Sequence, residues 1–242
     1  DPFQAAEGLC RQAIMVRLGK RLQCIHDLVD PGSVVADIGC DHALLSIALI
    51  ESKWACFCYA CDVAEGPLER AKAAVVQAGL EDVITPLLND GICGLPQTID
   101  TIIIAGMGFE TIRRILLEGR ELWGEERTFL LASHTDVEEL RQFLNEQHFV
   151  IDEERIVFER HYYQIIKAHH DPQAKKMGAD ELLFGVHTKK EALFVPYWQK
   201  ELSKCDTILQ RMPSTHERYA PLKERSERIR DMLQRYEKTA DE

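Results

Sequence analysis

The stretch VVADIGCDH at residues 34–42 decides the fold of this chain. Apolar residues on both sides of Asp37 lead into a glycine turn, and the apolar run 43–50 follows. This pattern predicts a buried strand, a turn and a helix. Ligands of an open α/β sheet bind outside the carboxyl ends of its strands, and Gly39 allows a sharp turn and a close approach of the backbone. Residues 37–42 are therefore expected to line a ligand site.

The residues after Gly39 indicate the charge of that ligand. A dinucleotide fold has further glycines in a G-x-G-x-x-G pattern, where the pyrophosphate meets the start of a helix. Here Cys40, Asp41 and His42 follow instead. The carboxylate of Asp41 would repel a pyrophosphate, whereas it suits the sulfonium and ammonium groups of S-adenosyl-L-methionine. The turn favours that methyl donor over NAD, with an NAD-binding oxidoreductase and a purely structural turn as the alternatives.

Strand and helix patterns alternate after this first unit. Strands are predicted over 55–63, 83–88, 101–105 and 128–132, helices over 67–78, 109–121 and 137–147, and an antiparallel strand hairpin over 149–158 and 162–168. Alternating strands and helices are typical of a parallel, doubly wound sheet with helices on both faces. The predicted fold is a Rossmann-like α/β sheet with an added antiparallel pair.

Polar groups and glycines recur where the predicted strands end. Asp62 lies 23 residues after Gly39, where an acidic side chain can accept hydrogen bonds from both ribose hydroxyls of a nucleoside. The triplet 89–91, Asn-Asp-Gly, follows the third strand and offers oxygens to an adenine amino group, although an ordinary turn has the same composition. Two glycines in 106–108 predict that a large ligand approaches the fourth strand closely.

The composition is typical of a globular protein, and the sequence pattern does not predict a membrane protein. Hydrophobic residues make up 45% of the chain and charged residues 29%, with a net charge of −11. No apolar run approaches the roughly 18 to 20 residues that cross a bilayer, and the amino end does not resemble a signal peptide. We therefore expect a cytoplasmic location. The eight cysteines are scattered without paired C-x-x-C motifs, so we expect buried thiols and no metal.

Charge and periodicity distinguish the last 70 residues. Residues 1–172 contain 15 Lys and Arg against 28 Asp and Glu, whereas residues 173–242 contain 14 against 12. Apolar residues at steps of three and four predict two helices joined near residue 213, packed as an antiparallel coiled-coil arm. We predict a domain over 1–170, which begins with a helix over 4–28, and an arm domain over 171–242. The arm suits either gripping RNA or dimerisation, and the pattern leaves the oligomeric state open.

Five short motifs, in this order, resemble those of the bacterial TrmK-type tRNA (adenine-N1)-methyltransferases. They are DIGCDHA at 37–43, DVAEGPL at 62–68, NDG at 89–91, AGMG at 105–108 and YYQII at 162–166. The resemblance spans roughly residues 18–212. It implies a class I methyltransferase domain with a coiled-coil domain, S-adenosyl-L-methionine as cofactor, and methylation of N1 of adenine 22 in tRNA.

The resemblance also implies which residues hold the donor. The cofactor-binding residues expected are Arg21, Asp37, Gly39, Cys40, Asp41, His42, Asp62, Val63, Asn89, Asp90, Gly91, Ala105, Gly106 and Met107. This chain departs from the family pattern at 132–135, where Ala-Ser-His-Thr replaces the Gln-Pro-Asn of many members, and at Phe109, which interrupts a second glycine pair. Those departures concern the adenine pocket more than the donor site.

The expected chemistry demands little of the side chains. N1 of adenine is a neutral lone pair and a sulfonium methyl group is already activated, so alignment can supply about 7 to 11 kcal/mol of the barrier. A group that accepts a hydrogen bond from the adenine N6 amino group assists, and Asp41 and His134 are the candidate catalytic residues. A methyltransferase of small molecules or proteins and a non-catalytic adenosyl-binding module are the remaining alternatives.

Overall fold

Seven strands form one sheet in the computed structural model, which describes residues 16–240. In chain order the strands are β1 (Ser33–Ile38), β2 (Ala55–Asp62), β3 (Ile84–Leu88), β4 (Thr101–Met107), β5 (Thr128–Ser133), β6 (Phe149–Phe158) and β7 (Tyr162–His170). Their order across the sheet is β3-β2-β1-β4-β5-β7-β6. Strands β1 to β5 are parallel, and β7 is antiparallel to both β5 and β6. The predicted Rossmann-like sheet with its antiparallel pair is confirmed.

Helices cover both faces of this sheet. They are α1 (Lys20–Leu28), α2 (Leu44–Glu51), α3 (Glu65–Ala78), α4 (Phe109–Glu118), α5 (Val137–Glu146), α6 (Ala179–Phe184), α7 (Phe194–Arg211) and α8 (Tyr219–Ala240). One apolar core holds buried residues of α4 and α5, and the other holds those of α1, α2 and α3. Successive strand residues alternate between the two cores, as Ile102 and Ile103 of β4 do. No helix within residues 16–240 is long and apolar enough to cross a bilayer.

The amino-terminal helix is shorter than predicted. It begins at Lys20, residues 16–19 are not helical, and the first twelve residues of the predicted helix, 4–15, lie outside the described part. Gly19 has an extended backbone and lies directly against the side chain of Glu159, while the Val16 amide donates to the Glu51 carboxylate at 3.2 Å. Tertiary contacts therefore hold this segment in a non-helical path.

Two other boundaries differ from the prediction for identifiable reasons. Strand β4 continues through Gly106 to Met107, with a register shift against β5 at the glycine, whose φ is +84°. Helix α4 ends at Glu118 because Gly119 packs against Ile92, where a Cβ would lie 2.1 Å from Ile92 Cγ1, and a short 3-10 turn follows. The bulge at Gly106 places Met107 at the carboxyl edge of the sheet.

The last two helices form a hairpin with its own apolar core. Phe194 at the start of α7 contacts Tyr236 near the end of α8 at 5.5 Å between ring centroids, so the two helices are antiparallel. Trp198 and Cys205 of α7 pack with Ile229 of α8. The same cluster includes Ile156 of β6, and this shared core docks the hairpin on the edge of the sheet.

A buried ion pair links the sheet to the segment that leads into the hairpin. The side chains of Arg141 in α5 and Glu154 in β6 are 1% and 0% exposed, and they meet at 2.9 Å. The guanidinium also donates to the backbone carbonyls of Leu182 and Leu183 in α6, while Glu154 accepts from the Val186 amide at 2.7 Å. This network fixes the segment that connects the sheet to the helical hairpin.

Candidate active site

The turn after β1 lies in contact with the end of β4. Gly39 has φ +77°, and its amide and that of Cys40 donate to the Cys61 carbonyl of β2 at 2.8 and 3.0 Å. A Cβ at Gly39 would lie 2.6 Å from Cε of Met107. Glycine is therefore required here for two reasons, the left-handed backbone and the methionine that closes over it.

Asp37 is the buried acid of this site. It is 6% exposed, and its carboxylate accepts a hydrogen bond from the Ser46 hydroxyl at 3.0 Å. Burial raises its pKa from the ordinary 3.8 to about 6; the Ser46 hydrogen bond and the Arg21 charge lower it, and the Asp62 charge raises it. A desolvated carboxylate with no full ionic partner attracts a cationic ligand group.

Arg21 of α1 approaches the same cleft from the β7 side. Its guanidinium lies 5.5 Å from the Tyr163 ring centroid, and its Nη1 is buried with no hydrogen-bond partner among the described residues. A buried guanidinium donor without a partner is costly, and a carboxylate supplied by a ligand would satisfy it. Arg21 therefore fits the carboxylate of an amino-acid ligand.

The β4 and β5 turns meet next to Tyr163. The His134 amide donates to the Met107 carbonyl at 2.9 Å, and a Cβ at Gly106 would lie 3.8 Å from His134 Nε2. The rings of His134 and Tyr163 make an edge contact with 5.9 Å between centroids. The structure thus brings Gly106, Met107 and His134 together, while Ala105 is half-buried within β4.

Asp62 and Val63 lie at the end of β2. One carboxylate oxygen of Asp62 accepts the Ala64 amide at 3.0 Å, and the Asp62 carbonyl accepts the Asn89 amide at 2.9 Å. The other carboxylate oxygen accepts no hydrogen bond from residues 16–240. Val63 is 66% exposed although it is apolar. A flat aromatic ligand resting on Val63 would cover that surface.

The Asn89–Gly91 turn packs against α4. The Asn89 side chain donates to the Gly91 carbonyl at 3.0 Å, and the Asp90 carboxylate pairs with Arg114 at 3.0 Å. Gly91 has φ +70°, and a Cβ there would lie 3.2 Å from Ile115. Both features hold the turn in one conformation beside Asp62.

Asp41 and His42 lie at the exposed rim. The Asp41 carboxylate pairs with Arg70 of α3 at 2.8 Å, and His42 Nε2 lies 3.8 Å from it. No contact joins Asp41 to His134 within the described chain, so the structure does not bring the two candidate catalytic residues together. Cys40 is buried, burial raises the pKa of its thiol, and its carbonyl accepts the Ala43 amide at 2.8 Å. Its polar groups therefore serve the turn itself.

A cavity of about 980 Å³ opens beside His134, between the sheet and the helical hairpin. It is lined by the 133–136 turn, by the β7 residues Tyr162 and Gln164, and by Lys200 and Arg218 of the hairpin. Sequence reasoning did not assign Lys200 or Arg218 to a site, whereas Tyr162 and Gln164 lie within the quoted motif at 162–166 but were given no role. Across residues 16–240, no group of three or more His, Cys, Asp or Glu side chains could hold a metal ion.

A family model for TrmK, tRNA (adenine(22)-N(1))-methyltransferase, matches residues 35–235. The chain belongs to this family. The tRNA (adenine(22)-N(1))-methyltransferase of Bacillus subtilis is 30% identical over 226 residues, which are 88% of this chain and 94% of the relative. Membership in this family excludes the alternative of an NAD-binding oxidoreductase.

Solved structures of similar chains contain the methyl donor or its product. A putative tRNA (m1A22) methyltransferase of Streptococcus pneumoniae, in complex with S-adenosyl-L-methionine, has a TM-score of 0.81 and 30% identity, covering 90% of this chain and 100% of its own. TrmK of M. capricolum, in complex with S-adenosyl-homocysteine, has a TM-score of 0.79 and 27% identity, covering 90% and 98%. The similarity to these structures therefore extends over 90% of this chain.

Proposed function

We propose that this chain transfers a methyl group from S-adenosyl-L-methionine to N1 of adenine 22 in tRNA. The observation that carries the proposal is the polarity of the cleft: a buried acid, Asp37, and an unpartnered guanidinium donor of Arg21 approach the same turn. A methionine zwitterion with a sulfonium offers both complementary charges. The family relationship supports the same reaction.

Each donor-site residue has one assigned task in this proposal. Arg21 binds the methionine carboxylate, Asp37 faces the cationic end, and Asp62 accepts the ribose hydroxyls. Val63 packs on one face of the adenine, and the Asn89–Gly91 turn borders its edge. The remaining predicted residues shape the cleft through their backbone, as Gly39 and Gly106 do, or lie at its rim, as Asp41 and His42 do.

The acceptor side requires alignment more than acid–base chemistry. The donor supplies a methyl group already activated by its sulfonium, so the protein has to hold N1 in line with it. His134 is the better candidate to accept from the adenine N6 amino group, because it lies against Gly106 and also lines the large cavity. The carboxylate of Asp41 is already paired with Arg70, and we assign Asp41 to the shape of the rim.

N1 lies on the Watson–Crick edge of adenine, so the target base has to be unpaired or extruded, which costs about a few kcal/mol. The cavity between the sheet and the hairpin is the path by which such a base reaches His134. Recognition then depends on the shape and phosphates of the tRNA. Arg218 and Lys200 line the cavity and have no carboxylate within 4.0 Å in the described chain, so they are available to phosphates.

The division into a methyltransferase domain over 1–170 and a helical domain over 171–242 belongs to this proposal. The separate apolar core of α7 and α8 supports it, but Ile156 of β6 lies in that core as well. Deleting residues 190–242 would expose Ile156 and destabilise the edge of the sheet. Point substitutions such as Arg218→Ala are therefore the sharper test of an RNA-binding role against dimerisation. The proposed location is the cytoplasm, where tRNA is found.

The test is incubation of the purified chain with unmodified tRNA and labelled S-adenosyl-L-methionine, followed by mass mapping of the methylated nucleoside. The expected product is 1-methyladenosine at position 22. A control tRNA with guanosine at that position should stay unmethylated. Label transferred to a small molecule or protein and none to tRNA would favour the alternative methyltransferase, and donor binding without any transfer would favour the non-catalytic module.

A further inference from the structure

The turn between β6 and β7 has a backbone conformation that side chains rarely adopt. Arg160 has φ +119°, although it is not a glycine, and the turn is closed by a hydrogen bond from the Glu159 amide to the His161 carbonyl at 3.1 Å. Both Arg160 and His161 are exposed. Such strain persists only where the surroundings impose it, and it is frequent at ligand-binding sites.

Aromatic side chains flank this turn on the side of the helical hairpin. Phe158, the last residue of β6, is 41% exposed, and its ring centroid lies 4.8 Å from that of Tyr162, the first residue of β7. Tyr197 of α7 supports Tyr162 with an edge contact at 5.4 Å. An exposed phenylalanine held on a fixed tyrosine is a preformed apolar platform.

A lysine completes this platform. Lys200 Nζ lies 5.2 Å from the Tyr162 ring centroid, and no carboxylate within residues 16–240 comes within 4.0 Å of that ammonium group. The charge is therefore available to an anion that approaches along the ring. Aromatic rings next to an unpaired cation are the combination by which proteins bind single-stranded nucleic acid.

The position of the platform relates it to the acceptor path. Tyr162, His161 and Lys200 line the same cavity as His134. Tyr163, the next residue of β7, faces the other way and contacts His134 at 5.9 Å between ring centroids. Strand β7 thus presents Tyr163 to the reaction site and Tyr162 to the cavity next to that site.

We propose that Phe158, Tyr162 and Lys200 form a base-stacking site for an unpaired nucleotide of the tRNA next to the target adenine. The inference rests on the proposed function, since it names a contact of the same substrate. Stacking tolerates any base, and the ammonium of Lys200 contacts the phosphate of that nucleotide. By holding the neighbour, the site keeps the extruded adenine beside His134.

Kinetics with the full chain and unmodified tRNA test this site. Tyr162→Leu removes the ring and keeps an apolar side chain, and we expect the KM for tRNA to rise by about 5- to 150-fold. The kcat at saturating tRNA and the Kd for S-adenosyl-homocysteine should stay at their wild-type values, and Tyr162→Phe should restore the KM. The matched control is Phe57→Leu, since Phe57 forms a similar pair with Tyr59 on β2, with 5.0 Å between centroids.

A spectroscopic measurement separates stacking from a structural role. In tRNA with 2-aminopurine on either side of the target adenine, wild-type protein should quench the fluorescence at one of the two positions, and Tyr162→Leu should abolish the quenching. Lys200→Gln and Phe158→Leu change exposed side chains. If Tyr162→Leu does not fold, these two variants replace it in the KM and fluorescence measurements. Unchanged KM and unchanged quenching in these variants would overturn the stacking site, whereas a wild-type chain that methylates no tRNA would overturn the proposed function instead.

Discussion

Replacing Asp37 with asparagine should raise stability and weaken donor binding at the same time. The carboxyl is buried, and its pKa in the folded chain is about 6 against an ordinary 3.8. Because the folded state binds this proton more tightly than the unfolded state, the free energy of unfolding falls as the pH rises from about 4 to about 6. The charged carboxylate therefore costs about 3 kcal/mol at pH 7 before a ligand is bound. Asparagine keeps the acceptor for Ser46 and removes that cost.

The size of the Asp37 pKa shift also sets the expected change in affinity for the methyl donor. If a bound cation returns the pKa of Asp37 to its ordinary value, the affinity of the wild-type chain for S-adenosyl-L-methionine should fall about tenfold between pH 7 and pH 5. Asp37→Asn should bind about 100-fold more weakly at pH 7, with an affinity that does not change over this range.

Isothermal titration calorimetry at both pH values and thermal unfolding of the free proteins measure the two effects. Asp62 is the other carboxylate whose charge acts on Asp37, and it is present in both proteins, so the variant controls for its contribution. A wild-type affinity that is flat between pH 5 and pH 7, or a variant that binds the donor as tightly as the wild type, would refute the reasoning.

Three further predictions follow from contacts described above. Arg21→Met should weaken S-adenosyl-homocysteine binding by about 10- to 150-fold, because the methionine carboxylate loses a charged partner; calorimetry measures this, and Arg21→Lys should recover part of the affinity. Gly39→Ala should lower the melting temperature more than Gly32→Ala, since both glycines have positive φ but a Cβ at Gly32 has nothing within 4 Å; equal losses would mean that backbone strain alone matters. Arg141→Met should lower the free energy of unfolding in urea by about 3–5 kcal/mol because Glu154 stays buried without its partner, and adding Glu154→Leu should restore much of it.

The sheet and the donor turns could be predicted because burial leaves a direct record in the sequence. A strand covered on both faces is apolar throughout, so β1, β2, β4 and β5 are visible as short apolar runs. The turns at the carboxyl edge of the sheet contain residues selected by backbone geometry, such as Gly39 after β1 and Gly91 after β3, both at positive φ. These signals are local, so the positions of the turns could be predicted from the sequence alone.

Contacts between distant elements were not predictable in this way. The sequence around Asp41 does not indicate that its partner is Arg70 of α3. In the same way, the sequence around Asp90 does not indicate its ion pair with Arg114 of α4. The shortened start of α1 depends on Glu159, 140 positions after Gly19. The cavity beside His134 is assembled from five separate segments, which explains why the sequence showed the cations of the hairpin only as a change in net charge.

Two helix starts at the carboxyl edge of the sheet have an unusual backbone conformation. The residue before a helix normally has an extended backbone and a side chain that caps the first amides. Ahead of α2 and α5 stand Ala43 and Asp136, both left-handed at φ +52° and +51°, and neither caps its helix with a side-chain hydrogen bond. The left-handed residues Lys53 and Gly79 lie at helix ends instead, where this conformation is ordinary. A left-handed backbone before a helix therefore marks the two turns that border Gly39 and His134, and the packed cores beneath them offset its cost.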